Sequence, residues 1–186
     1  MPRFIGDPFL VGNDTLVYTG SEAAYFEGKG GSDTISGGSG DDTIYGDYST
    51  GPNALLDGSD SINGNGGNDV IYCGGGNDTA RGGDGNDKIF GEGGSDSLWG
   101  DRGNDDLYGG EGSDTLIGGD GDDALYGGDD ISADDLRGGN GNDYLSGGDA
   151  YRYPDTLTGG AGFDNFDTVR PSPQDGSWYR GDQNKR

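Results

Sequence analysis

Gly37-Gly38-Ser39-Gly40-Asp41-Asp42-Thr43-Ile44-Tyr45 is the stretch that decides the fold. Its pattern, G-G-x-G-x-D-x-U-x with U large and apolar, returns at Gly82–Phe90, Gly118–Tyr126 and Gly138–Ser146. Units begin at Gly28, Gly37, Gly46, Gly64, Cys73, Gly82, Gly91, Gly100, Gly109, Gly118, Gly127, Gly138, Gly147 and Gly159, fourteen in all. Fourteen nines make 126 of the 140 residues from 28 to 167. The other 14 are insertions: nine at 48–56, two at 130–131 and three within 150–154. All three insertions fall in odd-numbered units. A short fixed period of this kind marks a solenoid.

The pattern frays outside these bounds. Gly12-Asn13-Asp14-Thr15-Leu16-Val17 matches the last two-thirds of a further unit, and a degenerate unit fills 18–27. Residues 1–27 therefore read as an N-terminal cap with degenerate repeats, with Phe4, Ile5, Phe9, Leu10 and Val11 apolar enough to close an open end. Residues 168–186 leave the pattern and read as a C-terminal cap or tail carrying Pro171, Pro173, Trp178 and Tyr179. Arg180-Gly181-Asp182 in that tail reads as a coincidence in a chain this rich in Gly and Asp.

The nonapeptide itself suggests a shape. Its first six positions read as a turn, with glycine where the backbone takes positive φ or approaches another group. The last three, x-U-x, read as a very short strand whose U side chain points one way and whose neighbours point the other. The U residues are Ile35, Ile44, Ile62, Ile71, Ala80, Ile89, Leu98, Leu107, Leu116, Leu125, Leu136, Leu145, Leu157 and Phe166. Two units make an 18-residue coil, and stacked coils bury the U column between two parallel sheets. The expected fold is all-β: a parallel β-roll, or right-handed β-solenoid, of about seven coils running about 34 Å at the strand spacing. On even strands position 9 reads Tyr45, Tyr72, Phe90, Tyr108 and Tyr126. This outward aromatic stripe is open to two readings: rung-on-rung stacking, or a face for a sugar chain, a protein or a second roll.

Composition narrows the function. The chain has 186 residues, 44 of them Gly, with 35 Asp and Glu against 11 Lys and Arg, a formal net charge of -24 and 28% hydrophobic residues. With no His and only Cys73, zinc clusters, His-based nucleophilic triads and an internal disulfide are excluded. The charge opposes binding to nucleic-acid phosphates. No apolar stretch approaches a membrane span of about 18 residues. Cys73 replaces the first glycine of its unit and reads as a tolerated turn substitution, with an interchain thiol link as the alternative. Carboxylate pairs such as Asp41–Asp42 and Asp122–Asp123 recur as repeat positions, so they do not single out a glycosidase centre. In each pair the second member reads as a ligand and the first as solvated.

Position 6 is Asp in every unit. The even edge of the roll carries Asp42, Asp69, Asp87, Asp105, Asp123, Asp143 and Asp164. The odd edge carries Asp33, Asp60, Asp78, Asp96, Asp114, Asp134 and Asp155, preceded by Asp14. One buried aliphatic per nine ordered residues does not offset the backbone entropy, and the carboxylates repel along each edge. A bound cation is therefore required. Calcium takes six to eight oxygen ligands at flexible geometry, which suits carboxylates beside carbonyl-rich glycine turns better than magnesium's tight octahedron.

Through these residues 28–167 resembles the RTX family, the calcium-binding repeats of secreted bacterial toxins, proteases, lipases and epimerases. The resemblance implies a parallel β-roll in which each ion lies between turns one coil apart. It would be held there by two position-6 Asp side chains and by backbone carbonyls of the Gly-rich loops, here Gly37, Gly40, Gly82, Gly85, Gly100, Gly103, Gly118, Gly121, Gly138 and Gly141. Seven turns per edge leave six gaps, so up to about twelve calcium ions fit, and their +24 would cancel the formal -24. The odd edge is expected to lose some sites at the units starting at Gly46, Gly127 and Gly147. In the last two of these, Ser132 and Tyr153 stand where position 4 wants glycine.

The expected protein is a non-enzymatic, secreted or cell-surface calcium binder that folds on taking up its ions. Two alternatives stand beside it: an adhesin or glycan- or protein-binding module using the aromatic stripe, and the accessory or secretion domain of a larger RTX enzyme or toxin. The resemblance implies type I export with a C-terminal signal, whereas only 19 residues follow the last unit and they end in Asn184-Lys185-Arg186. Met1-Pro2-Arg3-Phe4 is not followed by the apolar run of a Sec signal.

Overall fold

Each x-U-x tripeptide is a strand, and most of these strands run further than three residues. The computed structural model describes residues 1–5, 12–47, 57–148 and 154–167. Phe9, Leu10, Val11, the insertion 48–56, most of the insertion within 150–154, and the tail with Trp178 and Arg180-Gly181-Asp182 lie outside the described residues. In chain order the strands are β1 (Arg3–Ile5), β2 (Thr15–Val17), β3 (Tyr25–Lys29), β4 (Thr34–Ser36), β5 (Thr43–Asp47), β6 (Ser61–Gly66), β7 (Val70–Gly75), β8 (Thr79–Asp84) and β9 (Lys88–Gly93). They continue with β10 (Ser97–Arg102), β11 (Asp106–Glu111), β12 (Thr115–Asp120), β13 (Ala124–Tyr126), β14 (Asp135–Asn140), β15 (Tyr144–Ser146), β16 (Thr156–Ala161) and β17 (Asn165–Phe166).

The odd-numbered strands form one parallel sheet of nine and the even-numbered strands a second of eight. The chain therefore crosses from sheet to sheet at every turn and stacks about eight coils, a parallel β-solenoid. The additional coil comes from upstream, where β2 pairs with β4 and β1 pairs with β3. The short matches in 12–27 are enough to form strands because Leu16 registers against Ile35 and Phe26 against Ile44.

Register follows the U column. Leu98 pairs with Ala80 on one side and Leu116 on the other, and Leu107 lies between Ile89 and Leu125. From Ile35 to Leu157 every U residue is buried, Ala80 included, and Phe166 packs partly buried at the end. The insertions leave this register intact. Ile44 still pairs with Ile71 across the first, Leu116 with Leu136 across the second, and Leu136 with Leu157 across the third.

The expected division into a six-residue turn and a three-residue strand is corrected. Strands such as β10 and β12 take in positions 7–9 of one unit and 1–3 of the next, with the burial alternating so that positions 8 and 1 face inward. Two residues apart on a strand means the same face. Position 1 therefore belongs to the interior, and only positions 4–6 turn the corner. This also corrects Cys73. At position 1 of its unit, within β7, it is fully buried in the core beside the U column, so it is neither a turn surface residue nor a thiol available to a second chain.

The position-9 aromatics stack. Ring centroids are 4.9 Å apart for Tyr45–Tyr72, 4.8 Å for Tyr72–Phe90, 4.9 Å for Phe90–Tyr108 and 4.8 Å for Tyr108–Tyr126, all near parallel. This is the spacing of neighbouring strands. Tyr25 and Tyr144 close the two ends of the stack as tilted rings at 5.6 Å. The rung-on-rung stacking expected of the stripe is therefore present. Tyr108 lies between two rings, so Tyr108→Ser should lower the stability of the folded chain by about 1–3 kcal/mol, at about 0.5–1.5 kcal/mol per aromatic pair. Thr158→Ser, at the same outward position on the other sheet, should stay within about 0.5 kcal/mol. Equilibrium denaturant unfolding of both variants checks this.

Candidate metal centre

The two edges of the roll are built from the turn at positions 4–6. There the two oxygens of each position-6 carboxylate have different surroundings. Oδ1 accepts a hydrogen bond from the backbone N–H of the position-6 residue one coil earlier. On the even edge Ala24 donates to Asp42, Asp42 to Asp69, Asp69 to Asp87, Asp87 to Asp105, Asp105 to Asp123, Asp123 to Asp143 and Asp143 to Asp164, at 2.7–3.2 Å. On the odd edge Asp14 donates to Asp33, Asp33 to Asp60, Asp60 to Asp78, Asp78 to Asp96, Asp96 to Asp114, Asp114 to Asp134 and Asp134 to Asp155, at 2.7–2.9 Å. Asp14 thus joins the odd ladder through its backbone.

Oδ2 is the other half. In Asp33, Asp60, Asp69, Asp78, Asp87, Asp96, Asp105, Asp114, Asp123, Asp143 and Asp164 this atom is buried and has no hydrogen-bond partner. Asp42 differs, because its Oδ2 accepts from the N–H of Gly38 at 2.8 Å. Asp134 and Asp155 stand outside the unpartnered set; they belong to the units with Ser132 and Tyr153 at position 4. Asp60, in the unit with the longest insertion, keeps the pattern of the regular units. The Oδ1 hydrogen-bond ladder is therefore continuous on both edges, while Oδ2 departs from the pattern at Asp134 and Asp155, in two of the three units where odd-edge sites were expected to drop out.

Position-1 glycines make room for Oδ2. A Cβ on Gly100 would meet Oδ2 of Asp105 and the carbonyl oxygen of Gly118 together. On Gly118 it would meet Asp123 and the Gly138 carbonyl, and on Gly138 Asp143 and the Gly159 carbonyl. At Gly37 the pair is Asp42 and the Gly64 carbonyl, while Gly82 lies against Asp87. At Gly100, Gly118 and Gly138 a carboxylate oxygen without a hydrogen-bond donor and a peptide oxygen thus converge on one small space. Among the position-4 glycines, Gly85, Gly103, Gly121 and Gly141 have φ of 125° to 144°, and each lies over the carbonyl of the position-4 glycine one coil earlier. Gly40 lies over the backbone of Glu22 and Ala23. These carbonyls form a separate column along the turn.

Burial of this kind raises carboxylate pKa values. Removal from water is the largest cause, partly opposed by the donated backbone N–H, and it pushes Asp78 up to about 8. Asp60, Asp69, Asp105, Asp114, Asp123 and Asp134 rise to about 7, and Asp87 and Asp96 to about 6. A cation bound at Oδ2 would supply the missing partner and hold these groups ionised. The donors are all oxygen, the set that calcium prefers.

Two features escape the sequence reading. Asp47 fills position 2, usually glycine, just before the first insertion. It is 2% exposed, and its Oδ2 accepts from the N–H of Gly58 at 2.7 Å. Its pKa is pushed up to about 8, mainly by burial. Acids at position 2 also occur at Glu92 and Asp101, where they are not buried, so residue type alone does not separate the cases. The second feature is a ladder at position 5. Asn68 Oδ1 accepts from the Asn86 N–H, Asn86 from Asn104, Asn104 from Asp122 and Asp122 from Asn142. Asp41 likewise accepts from Asn68. The first member of each Asp pair is therefore a ladder member rather than merely solvated. The signal was the near-restriction of position 5 to Asn, Asp and Ser.

The family model for the RTX calcium-binding nonapeptide repeat (4 copies) matches residues 18–47, 56–80, 74–107, 99–132, 130–150 and 152–168. No curated protein matches the chain. The family matches cover every position-6 Asp from Asp33 to Asp164. The matched description names calcium, an ion whose preferred ligands are oxygen, as are the atoms that line these gaps. The chain belongs to the RTX calcium-binding nonapeptide-repeat family.

Proposed function

We propose that this chain is a calcium-dependent roll that folds by taking up many ions between its stacked turns, up to about twelve, and that it works outside the cell. The observation that carries this reading is the row of eleven buried position-6 Oδ2 atoms without a partner. Each buried unsatisfied polar atom costs about 1–3 kcal/mol, more when charged. Eleven of them amount to ten kcal/mol or more, on the order of the whole stability of a domain, about 5–15 kcal/mol. The empty ladder is thus a poor folded state, and an ion in each gap converts the same atoms into ligands. Binding free energy then becomes folding free energy. Extracellular modules bind calcium at about 0.1–1 mM, so such a chain stays expanded where calcium is scarce and folds where it is millimolar. Its action is binding; the roll's uniform carboxylates serve as ligands rather than as an acid–base pair.

Circular dichroism with and without calcium checks the central claim. The chain should show β-structure in millimolar calcium and lose most of it in EGTA, with several ions bound per chain by a stoichiometric titration. Equal folding in EGTA overturns the reading.

The pH response should have opposite signs in the two states. In the calcium-free fold the raised pKa values of about 6 to 8 lie above the unfolded value near 3.9. The folded form therefore binds more protons, and this stabilisation is complete below about pH 4 and lost as pH rises through 6–8. Acidifying metal-free protein from pH 8 to pH 5 should raise its β-structure content, while the loaded protein should release calcium over the same range. Dichroism of metal-depleted protein, and bound calcium after equilibrium dialysis at each pH, measure the two limbs.

A further inference from the structure

We infer that Asp33, Asp47 and Asp60 form a three-carboxylate cation site on the odd edge, and that this site takes calcium more tightly than the two-carboxylate gaps along the rest of the roll. The inference rests on the calcium-binding reading above and assigns a different weight to one place in it.

At the other four non-glycine position-2 residues the backbone is left-handed, with φ of 93° at Lys29, 73° at Asn65, 72° at Glu92 and 75° at Asp101, and none of these four is buried. Asp47 is buried instead, directly after buried Gly46 at the end of β5. One coil on, the position-2 residue is Gly74, and a Cβ there would run into the Cβ and backbone of Asp47. A glycine at that point leaves room for the Asp47 side chain to lie within the edge.

The carboxylate meets two others there. One oxygen each from Asp33, Asp47 and Asp60 lies within 4.8 Å of the others, a spread that suits shared coordination of one ion. All three residues are 2–3% exposed. Each also has one oxygen without a hydrogen-bond partner: Oδ2 of Asp33, Oδ1 of Asp47 and Oδ2 of Asp60. The remaining oxygen of each is engaged, by the N–H of Asp14, Gly58 and Asp33 respectively. The three unpartnered atoms are therefore the free halves of carboxylates already held in place.

Among the described residues no cationic side chain is paired with them. The neighbouring insertion 48–56 contains no Lys or Arg. A regular gap offers two carboxylates to a divalent ion, and this one offers three. Calcium affinity rises with ligand charge and with the rigidity of the site, and here the ligands are pre-positioned by the ladder and by Gly58. The first calcium equivalent should bind at this point.

The test is a calcium titration of the full chain by isothermal calorimetry, comparing wild type with Asp47→Asn and Glu92→Gln. Asn keeps an oxygen for the Gly58 N–H, so a role confined to anchoring the insertion survives the change. Glu92→Gln removes one negative charge at position 2 of the same edge without touching the cluster. The expected result is that Asp47→Asn weakens the first equivalent about tenfold or more and leaves later equivalents unchanged, while Glu92→Gln titrates as wild type. An Asp47→Asn titration superimposable on wild type overturns the inference, as does an equal weakening by Glu92→Gln. A wild-type titration with all sites equivalent also overturns it, without reliance on any variant. A wild type that binds no calcium overturns the calcium reading as a whole, so the two failures are distinguishable.

Discussion

The rest of the structure depends on how one carboxylate is divided. At position 6, Oδ1 ties each coil to the previous one through a backbone N–H, and Oδ2 is left in the interior facing oxygen. The first contact sets the axial register of the roll; the second makes that register expensive without a cation. Because both atoms sit on one side chain, neither can be kept without the other. The demand then passes to other positions. In the thirteen units where position 1 is glycine, Oδ2 occupies the space its Cβ would take, Cys73 being the one exception, and positions 4–6 must turn tightly enough to bring successive carboxylates into line.

Once the edges are registered, the sheets follow with little further cost. Every contact is repeated between nearest coils, so the roll behaves as a one-dimensional stack. The U residues meet only their equivalents above and below and the column from the facing sheet. That explains why a core of one aliphatic per unit tolerates Ala80 without loss of register. The aromatic stripe extends the same logic outward. Its 4.8–4.9 Å ring spacing is dictated by the strands, and the rings gain contact at no additional ordering of the backbone.

Much of this was legible because it is periodic. The repeat, the inward column and both rows of Asp could be written down from spacing alone, and the insertion lengths reproduce the observed register shifts. What was not legible depends on direction rather than period. Position 1 reads as a turn glycine, yet it is an inward strand position, which is why Cys73 was misplaced at the surface. The degenerate repeats expected before Gly28 do form strands, with Leu16 of the partial unit and Phe26 of the next extending the two sheets. Asp47 was hidden for a related reason. Glu92 and Asp101 share its position and charge, and only the local backbone decides whether the carboxylate enters the edge or leaves it.

The insertions show which part of the unit is negotiable. All three enter before position 4, so positions 5 and 6 and the strand that follows are preserved in every case. The element at risk is the position-4 N–H. In regular units it bonds to the position-3 carbonyl of the next coil, as Gly76 does to Gly93 and Gly94 to Glu111. At Gly58 the acceptor is instead Oδ2 of Asp47, and at Gly112 it is Oδ2 of Asp130, at 2.6 Å. Each of these aspartates adjoins or belongs to an insertion. A side-chain oxygen thus replaces the backbone oxygen where the extra residues interrupt the strand, and the N–H remains satisfied. At Asp47 the substitution has a second consequence that a carbonyl would not have. It brings a negative charge into an edge already short of positive ones, and the repair of one hydrogen bond raises the demand for a cation at the same point.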